Sequence, residues 1–329
     1  MTPMRDAITI GLAAYPESQS SAIHGLQDLF TVANRFQEKY SDHLRPIDTR
    51  IVRSFPKDEN HLDALILPPS MGPRIASAKE QGVINWVRQH HQQGALVCSI
   101  CAGAFPLAAS GLLDGRKATT HWALASEFAT KFPQVHLQAD RVLIDDGDIV
   151  TAGGLMAWTD LGLRLIARFM SPALMLEVAR FFLIDPGERA QSFYSSFSPN
   201  LTHGDKAILR VQHWIQTKYS EQLSVSDMAH CARLELRTFG RRFHTATGLS
   251  PSEYLQQLRI GKAREQLELS KTSVETIARE VGYMDISAFR RMFQKVVGLT
   301  PGEYRNRFSP AQLPETSTRG RHDSINPRA

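Results

Sequence analysis

Twelve residues of this chain are written twice, as FHTATGLSPSEY at 243–254 and FQKVVGLTPGEY at 293–304. Phe243 and Phe293, Gly248 and Gly298, Pro251 and Pro301, and Tyr254 and Tyr304 recur at an offset of 50 residues. Upstream, Phe239 answers Phe289 and Arg241 answers Arg291; further back the offset slips to 49, pairing Ser224 with Ser273 and Ala229 with Ala278. A duplication with a one-residue slip repeats a structural unit and is not low complexity.

Each copy opens with a helix start. Ser224-x-x-Asp227 approximates a capping box, and Thr272-x-x-Glu275 fits one outright. A two-turn helix follows, with Ala229 and Ala278 small where a second helix must cross closely. That second helix places Phe239 and Phe243, or Phe289 and Phe293, at i and i+4 on one face, which is the spacing of a core stripe. Arg241 and Arg291 fall off that face, and Arg237, Arg242 and Arg290 add to a basic outer surface. Two short helices, the second aromatic inside and basic outside, form a helix-turn-helix pattern. A major groove about 12 Å wide admits one helix, so two units suit successive grooves, with 252–270 as the helix that spaces them.

Charge supports that reading. From residue 205 onward the chain holds 20 Lys and Arg against 13 Asp and Glu, a balance of +7, while residues 1–204 hold 18 against 20. A basic half favours a polyanionic partner.

At 329 residues two domains are expected. Residues 1–184 alternate apolar runs (AITIGLAAY, ALILPPS, GALVCSI) with helical patterns, which predicts an α/β layered domain with a parallel sheet of the flavodoxin-like kind. RVLIDDGDIVTAGG predicts two short strands about an Asp-Gly turn. Residues 185–205 lose periodicity and gather Pro, Gly and Ser, as a linker does; 206–308 is all helical, and 309–329 is expected to be a disordered tail. No apolar run reaches the roughly 18 residues of a membrane span. Asp6 and the β-branched AITIG speak for a first strand over a signal segment, and three cysteines argue for a reducing, cytoplasmic setting.

Cys101 stands on an abrupt strand-to-helix turn, at a helix N-terminus where the dipole favours thiolate. Three readings are open: a buried inert thiol, a ligand-contacting residue at the mouth of a sensory pocket, and a catalytic nucleophile. Cys98 lies on the strand about 10 Å from it at 3.3 Å per residue, too far to bridge. No second Cys/His pair has zinc spacing, no cofactor motif is present, His90 and His91 read as solvated, and Cys231 reads as core. Ligands of open α/β sheets collect at the strands' carboxyl ends. The residues expected there are Cys101, Ala102, His121, Trp122, Trp158 and Asp160, and an aromatic wall with a carboxylate suits a small cationic or amine metabolite.

SVETIAREVGYMDISAFRRMFQKVVGLTPGEYR resembles the DNA-binding domain of the AraC/XylS family. The resemblance implies base-reading positions at Arg237, Gly240 and Arg241 in the first unit and at Ile286, Ser287, Arg290 and Arg291 in the second. The first unit departs from the pattern: Arg233 stands where the second has Gly282, and Gly240 offers a base no side chain. Residues 1–184 resemble the PfpI-type, class I glutamine amidotransferase-like domain of GlxA-type regulators, with Cys101 at its nucleophile elbow. Hydrolases of that fold carry His after the Cys, where Ala102 stands here. They also carry an acid in the loop after the first strand, which the resemblance places on ESQSSAIHGLQDLF; that segment offers Glu17 and Asp28, while position 22, the equivalent of the acidic site, is alanine. The expectation is a non-enzymatic transcriptional regulator that binds operator or promoter DNA, responds to a small molecule and pairs as a homodimer. RNA polymerase becomes a partner if the output is activation. The rival is a cysteine-dependent amidase or hydrolase carrying a DNA-binding domain.

Overall fold

The computed structural model describes residues 7–37, 44–55, 61–72, 77–186, 190–195, 197 and 199–309. The first residues, Asp6 included, and the tail beyond Ser309 lie outside them. The chain divides into two compact units, Met1–Ser195 and Ser196–Ala329.

The first unit runs β1 (Ile8–Ala13), α1 (Ser20–Gln37), β2 (Ile47–Val52), β3 (Ala64–Leu67), α2 (Ser77–Gln92), β4 (Leu96–Ile100), α3 (Ala104–Ala109), β5 (Lys117–Ala118), α4 (Ala125–Lys131), β6 (His136–Leu137), β7 (Leu143–Asp145), β8 (Ile149–Ala152), α5 (Trp158–Phe169) and α6 (Pro172–Phe181). Six strands form one sheet in the order β2-β1-β3-β4-β8-β7, parallel except for β7. β3, β4 and β8 are buried along their whole length because helices cover both faces, which is why they read as unbroken apolar runs. Alternate residues serve opposite cores: Ile10, Leu12, Ile66 and Cys98 face α1, α5 and α6, while Leu65, Leu67 and Val97 face the side of α2 and α3.

Three expectations for this unit are corrected. ESQSSAIHGLQDLF is not a loop: α1 begins at Ser20 and buries Ala22, Ile23, Leu26 and Leu29 at helical spacing. His90 is not solvated; it is 1% exposed and packs edge-on against Trp86, while His91 bonds Asp148 at 2.7 Å. The stretch read as linker is not uniform either, because Ala190–Ser195 lies within the first unit and Gln191 is buried there.

The second unit holds α7 (Lys206–Lys218), α8 (Val225–Ala232), α9 (Leu236–Thr247), α10 (Pro251–Leu269), α11 (Val274–Glu280), α12 (Ile286–Val297) and α13 (Pro301–Phe308). The duplication is visible as two cores. Phe239 and Phe243 pack with Tyr254 against α7 and the first half of α10; Phe289 and Phe293 pack with Tyr304 against its second half. α10 therefore closes one unit and opens the next. Ser250 and Thr300 make full capping boxes with Glu253 and Glu303, each with proline at the first helical position. The cap of α8 is also a full box, Ser224 with Asp227, whereas α11 is capped by Ser273 accepting from Thr276 N–H, and Thr272 lies before the cap.

Candidate functional site

α9 and α12 bury their phenylalanines and turn their charged sides outward. Arg237, Arg241, Ser287, Arg290 and Arg291 are exposed, while Gly240 and Ile286 are half-buried. These side chains are not equally available. Arg242 is held by Asp205, its Nε and Nη2 donating to the two carboxylate oxygens at 2.9 and 2.7 Å. Asp205 is also the cap of α7, so this guanidinium ties α9 to the helix before it, and the pairing holds the carboxyl below its ordinary range. Arg290 reaches Glu275 on α11 at 2.8 Å. Arg291 lies 3.8 Å from Asp285, with 73% of its side chain exposed. Arg237 and Arg241 have no ionic partner among the described residues. At Gly240 an added Cβ would meet nothing within 4 Å, so the outer face of α9 is open there.

The turns before the two helices use one backbone solution with different residues. Arg233 holds a left-handed conformation (φ 56, ψ 46) that closes α8. Gly282 holds φ 91 in the second unit, where an added Cβ would stand 2.8 Å from Arg259 Nη2 and 2.9 Å from Ser220 O. Arg259, on α10, donates to Tyr219 O and Glu221 O at 2.7 Å each, so it ties the connection between α7 and α8 to the turn at Gly282.

In the first unit, β4 and β8 end side by side, Ile100 opposite Ala152. Cys101 follows β4 with φ 54, a left-handed backbone in a non-glycine residue. The turn buries it to 4% exposure, and burial pushes its thiol up to about 11 against the lesser opposing pull of the Ala102 N–H. Tyr15 hydroxyl donates to Pro68 O beside it, and Thr120 Oγ1 donates to Cys101 O at 2.8 Å. His121 is occupied with the local backbone, where its Nδ1 accepts from Ala123 N–H at 3.1 Å and caps a short 3-10 turn. A ring nitrogen that accepts is unprotonated, and burial lowers the ring's affinity for a proton. Among the described residues no hydrogen bond joins it to the thiol.

Beyond β8 lies a cleft of about 400 Å³. His121, Trp122, Gly153, Met156, Asp160 and Tyr194 are among its walls, and Gln191 forms part of its floor. Three of the six sequence-predicted ligand residues, His121, Trp122 and Asp160, therefore meet there. Cys101 and Ala102 belong instead to the packed turn, and Trp158 lies against α1 so closely that a Cβ at Gly25 would stand 2.5 Å from its ring. Asp160 is shared with a neighbouring hollow lined by Arg141 and Arg164. Sequence reasoning missed Gln191 and Tyr194; the one available signal was the three aromatics in AQSFYSSF, unusual in a linker. Among the described residues no group of three His, Cys, Asp or Glu side chains stands ready for a metal. No described helix is long and apolar enough to cross a membrane.

Comparison with known proteins falls on both units. A helix-turn-helix domain profile matches residues 228–307, and the DJ-1/PfpI family profile matches residues 45–168. The HTH-type transcriptional regulator ArgR of Pseudomonas aeruginosa is 29% identical over 228 residues, covering 67% of each chain. The HTH-type transcriptional regulator GlxA of Rhizobium meliloti is 29% identical over 222 residues, covering 67% of this chain and 68% of that protein. The alignments thus span about two thirds of these relatives. Among solved structures, Drosophila melanogaster DJ-1beta is similar at 14% identity with a TM-score of 0.43, covering 55% of this chain and 100% of that one.

Proposed function

We propose that this chain, which joins a DJ-1/PfpI domain to an AraC-type helix-turn-helix domain, is a sequence-specific transcriptional regulator that answers to a small molecule. The observation that carries the reading is the doubled unit. Two helices, α9 and α12, each bury a phenylalanine pair and expose arginine, and both pack on the one helix α10. Arginine is the usual bidentate partner of guanine in the major groove, and two recognition helices on one frame read two adjacent stretches. Arg237, Arg241 and Arg291 are assigned to bases, with Gly240, Ile286 and Ser287 at the groove surface. Arg290 and Arg242 are assigned to positioning, because Glu275 and Asp205 already hold them.

The cleft beside β8 is the site assigned to the effector. Its carboxylate, Asp160, and its aromatic faces, Trp122 and Tyr194, suit a small molecule with a cationic group. A homodimer on paired half-sites fits the way such regulators use repeated operators. The rival reading, a cysteine amidase, takes its support from the strained elbow at Cys101. Against it stands a buried thiol raised to about 11, with His121 engaged elsewhere.

Selection of binding sites from random duplex DNA with the full chain tests the regulator. The wild type is expected to enrich a motif with two parts. Arg291→Ala is expected to lose discrimination by roughly tenfold or more at one base position, and Arg242→Ala to weaken all sequences alike. A uniform loss for Arg291→Ala would show that it touches only phosphate.

A further inference from the structure

The segment that leads out of the α/β unit does not run over its surface. Ala190 pairs with Arg141 in an isolated antiparallel bridge, and Gln191 N–H donates to Asp140 O at 2.7 Å. The Gln191 side chain is then driven inward, leaving the residue 3% exposed. Its amide nitrogen donates to Thr120 O at 2.8 Å, Arg141 O at 2.9 Å and Thr119 Oγ1 at 3.2 Å. Its amide oxygen accepts from Trp122 N–H at 3.0 Å. The socket is shaped for this group, since a Cβ at Gly153 would stand 2.0 Å from Gln191 Nε2. Trp122, Gly153, Gln191 and Tyr194 are also residues of the cleft. One short stretch of chain therefore closes the cleft, fills hydrogen bonds in its floor and ends at Ser195, where the second unit's chain begins.

We propose that Gln191 is a latch that couples the cleft to the DNA-binding unit. The proposal rests on the regulator reading above and adds the residue through which that regulation passes. A molecule in the cleft touches Gln191 and Tyr194 only while the latch is seated, so occupancy and seating stabilise one another, and each must shift the other by the same factor. The latch has two discrete positions. A buried primary amide that withdraws halfway loses its own acceptors in the socket and leaves Trp122 N–H without its acceptor, so intermediate positions are the least stable. Seating also fixes Ser195, the last residue of the first unit, and the covalent connection carries that change onward, which is how the cleft can act on DNA binding without touching DNA.

The test uses the full chain and the DNA that the wild type selects from a random pool. Gln191→Ala empties the socket. Gln191→Glu keeps the shape but turns a carboxylate toward the carbonyls of Thr120 and Arg141. Val87→Ala, in the core on the α2 side of the sheet, controls for lost stability. Both Gln191 variants are expected to change the Kd for the selected DNA by about fivefold or more and to raise deuterium uptake across 190–195. Val87→Ala, compared at an equal fall in Tm, is expected to change neither. Gln191 variants that bind this DNA as the wild type does overturn the latch, and so does a Val87→Ala effect of the same size. A wild-type chain that enriches no sequence overturns the regulator reading itself, and the latch with it.

Discussion

At Cys101 two local forces oppose each other, and their balance decides what the residue can do. The turn after β4 presents the cysteine at the start of a helical segment, a position whose dipole and N–H groups lower a thiol's pKa. Yet α3 spans only Ala104–Ala109, behind a 3-10 turn, and the thiol is packed into the core shared by Ile100, Ala152 and Ala157. Desolvation wins, and the thiol rises to about 11 from an ordinary 9.0. Below the ordinary value the thiol is neutral in both folded and unfolded chains, and the shift has no effect on stability. As pH climbs from there towards the folded value, the unfolded thiol ionises first and the folded state loses stability. At pH 8 roughly one Cys101 in a thousand is thiolate. Iodoacetamide is therefore expected to label it slowly in the folded chain and rapidly in denaturant, as peptide mass spectra will show. Rapid labelling of the folded protein at pH 7 would return the residue to the nucleophiles. The sequence located this turn and placed Cys101, Ala102, His121, Trp122, Trp158 and Asp160 together at the strand ends, where three of them, His121, Trp122 and Asp160, line the cleft. It could not show that burial outweighs the dipole, because burial is set by segments distant in the chain.

At the scale of elements, the duplication carried most of the information. The paired phenylalanines, the proline that opens α10 and α13, and Arg233 in the place of Gly282 were all legible in one line of sequence. β2 was harder. As an edge strand paired on one side only, it buries Ile47 alone, leaves its other residues half-buried or exposed, and shows no continuous apolar run. α1 was obscured by its polar opening, SSAIHGLQ, whose apolar residues acquire meaning only once the sheet they cover is known. The two turns make a matched experiment. Arg233 bears the cost of a left-handed backbone, about 1–2 kcal/mol for an ordinary residue, and a glycine there gives back part of it in chain entropy. Arg233→Gly is therefore expected to stabilise the helical unit, Ser196–Ala329, by about 0.5–1 kcal/mol in urea melts. Gly282→Ala is expected to destabilise it by more than that, since it adds the same backbone cost and drives a Cβ against Arg259 and Ser220 O. A loss of stability in Arg233→Gly would mean that the arginine side chain holds the turn.

Taken as a whole, the chain divides after Ser195, a place that composition does not mark. The Pro-, Gly- and Ser-rich run from 185 to 205 looks like connecting chain, and Ile184 is the last residue of the first unit with an apolar pattern. Structurally the first unit continues to Ser195, because the socket formed by Thr119, Thr120, Trp122 and Arg141 is completed only by Gln191. A glutamine among serines carries no periodic signal, and its partners are mostly backbone groups, which leave no trace in side-chain identity. Two fragments separate the alternatives. Residues 1–195 are expected to fold as a unit. Residues 1–186 keep every numbered strand and helix of the sheet domain but lose the glutamine's donation to Thr120 O and Arg141 O, which Thr119 Oγ1 also reaches, and leave Trp122 N–H without its acceptor. Each lost hydrogen bond costs about 0.5–1.5 kcal/mol and the one unmet N–H about 1–3, with entering water recovering part, so the shorter fragment is expected to be less stable by about 2–4 kcal/mol. For a domain of this size that corresponds to a fall in Tm of roughly 5–10 °C. Calorimetry of the two fragments decides it, and equal melting temperatures would place the boundary at 186 and make Gln191 a passenger of the connecting chain.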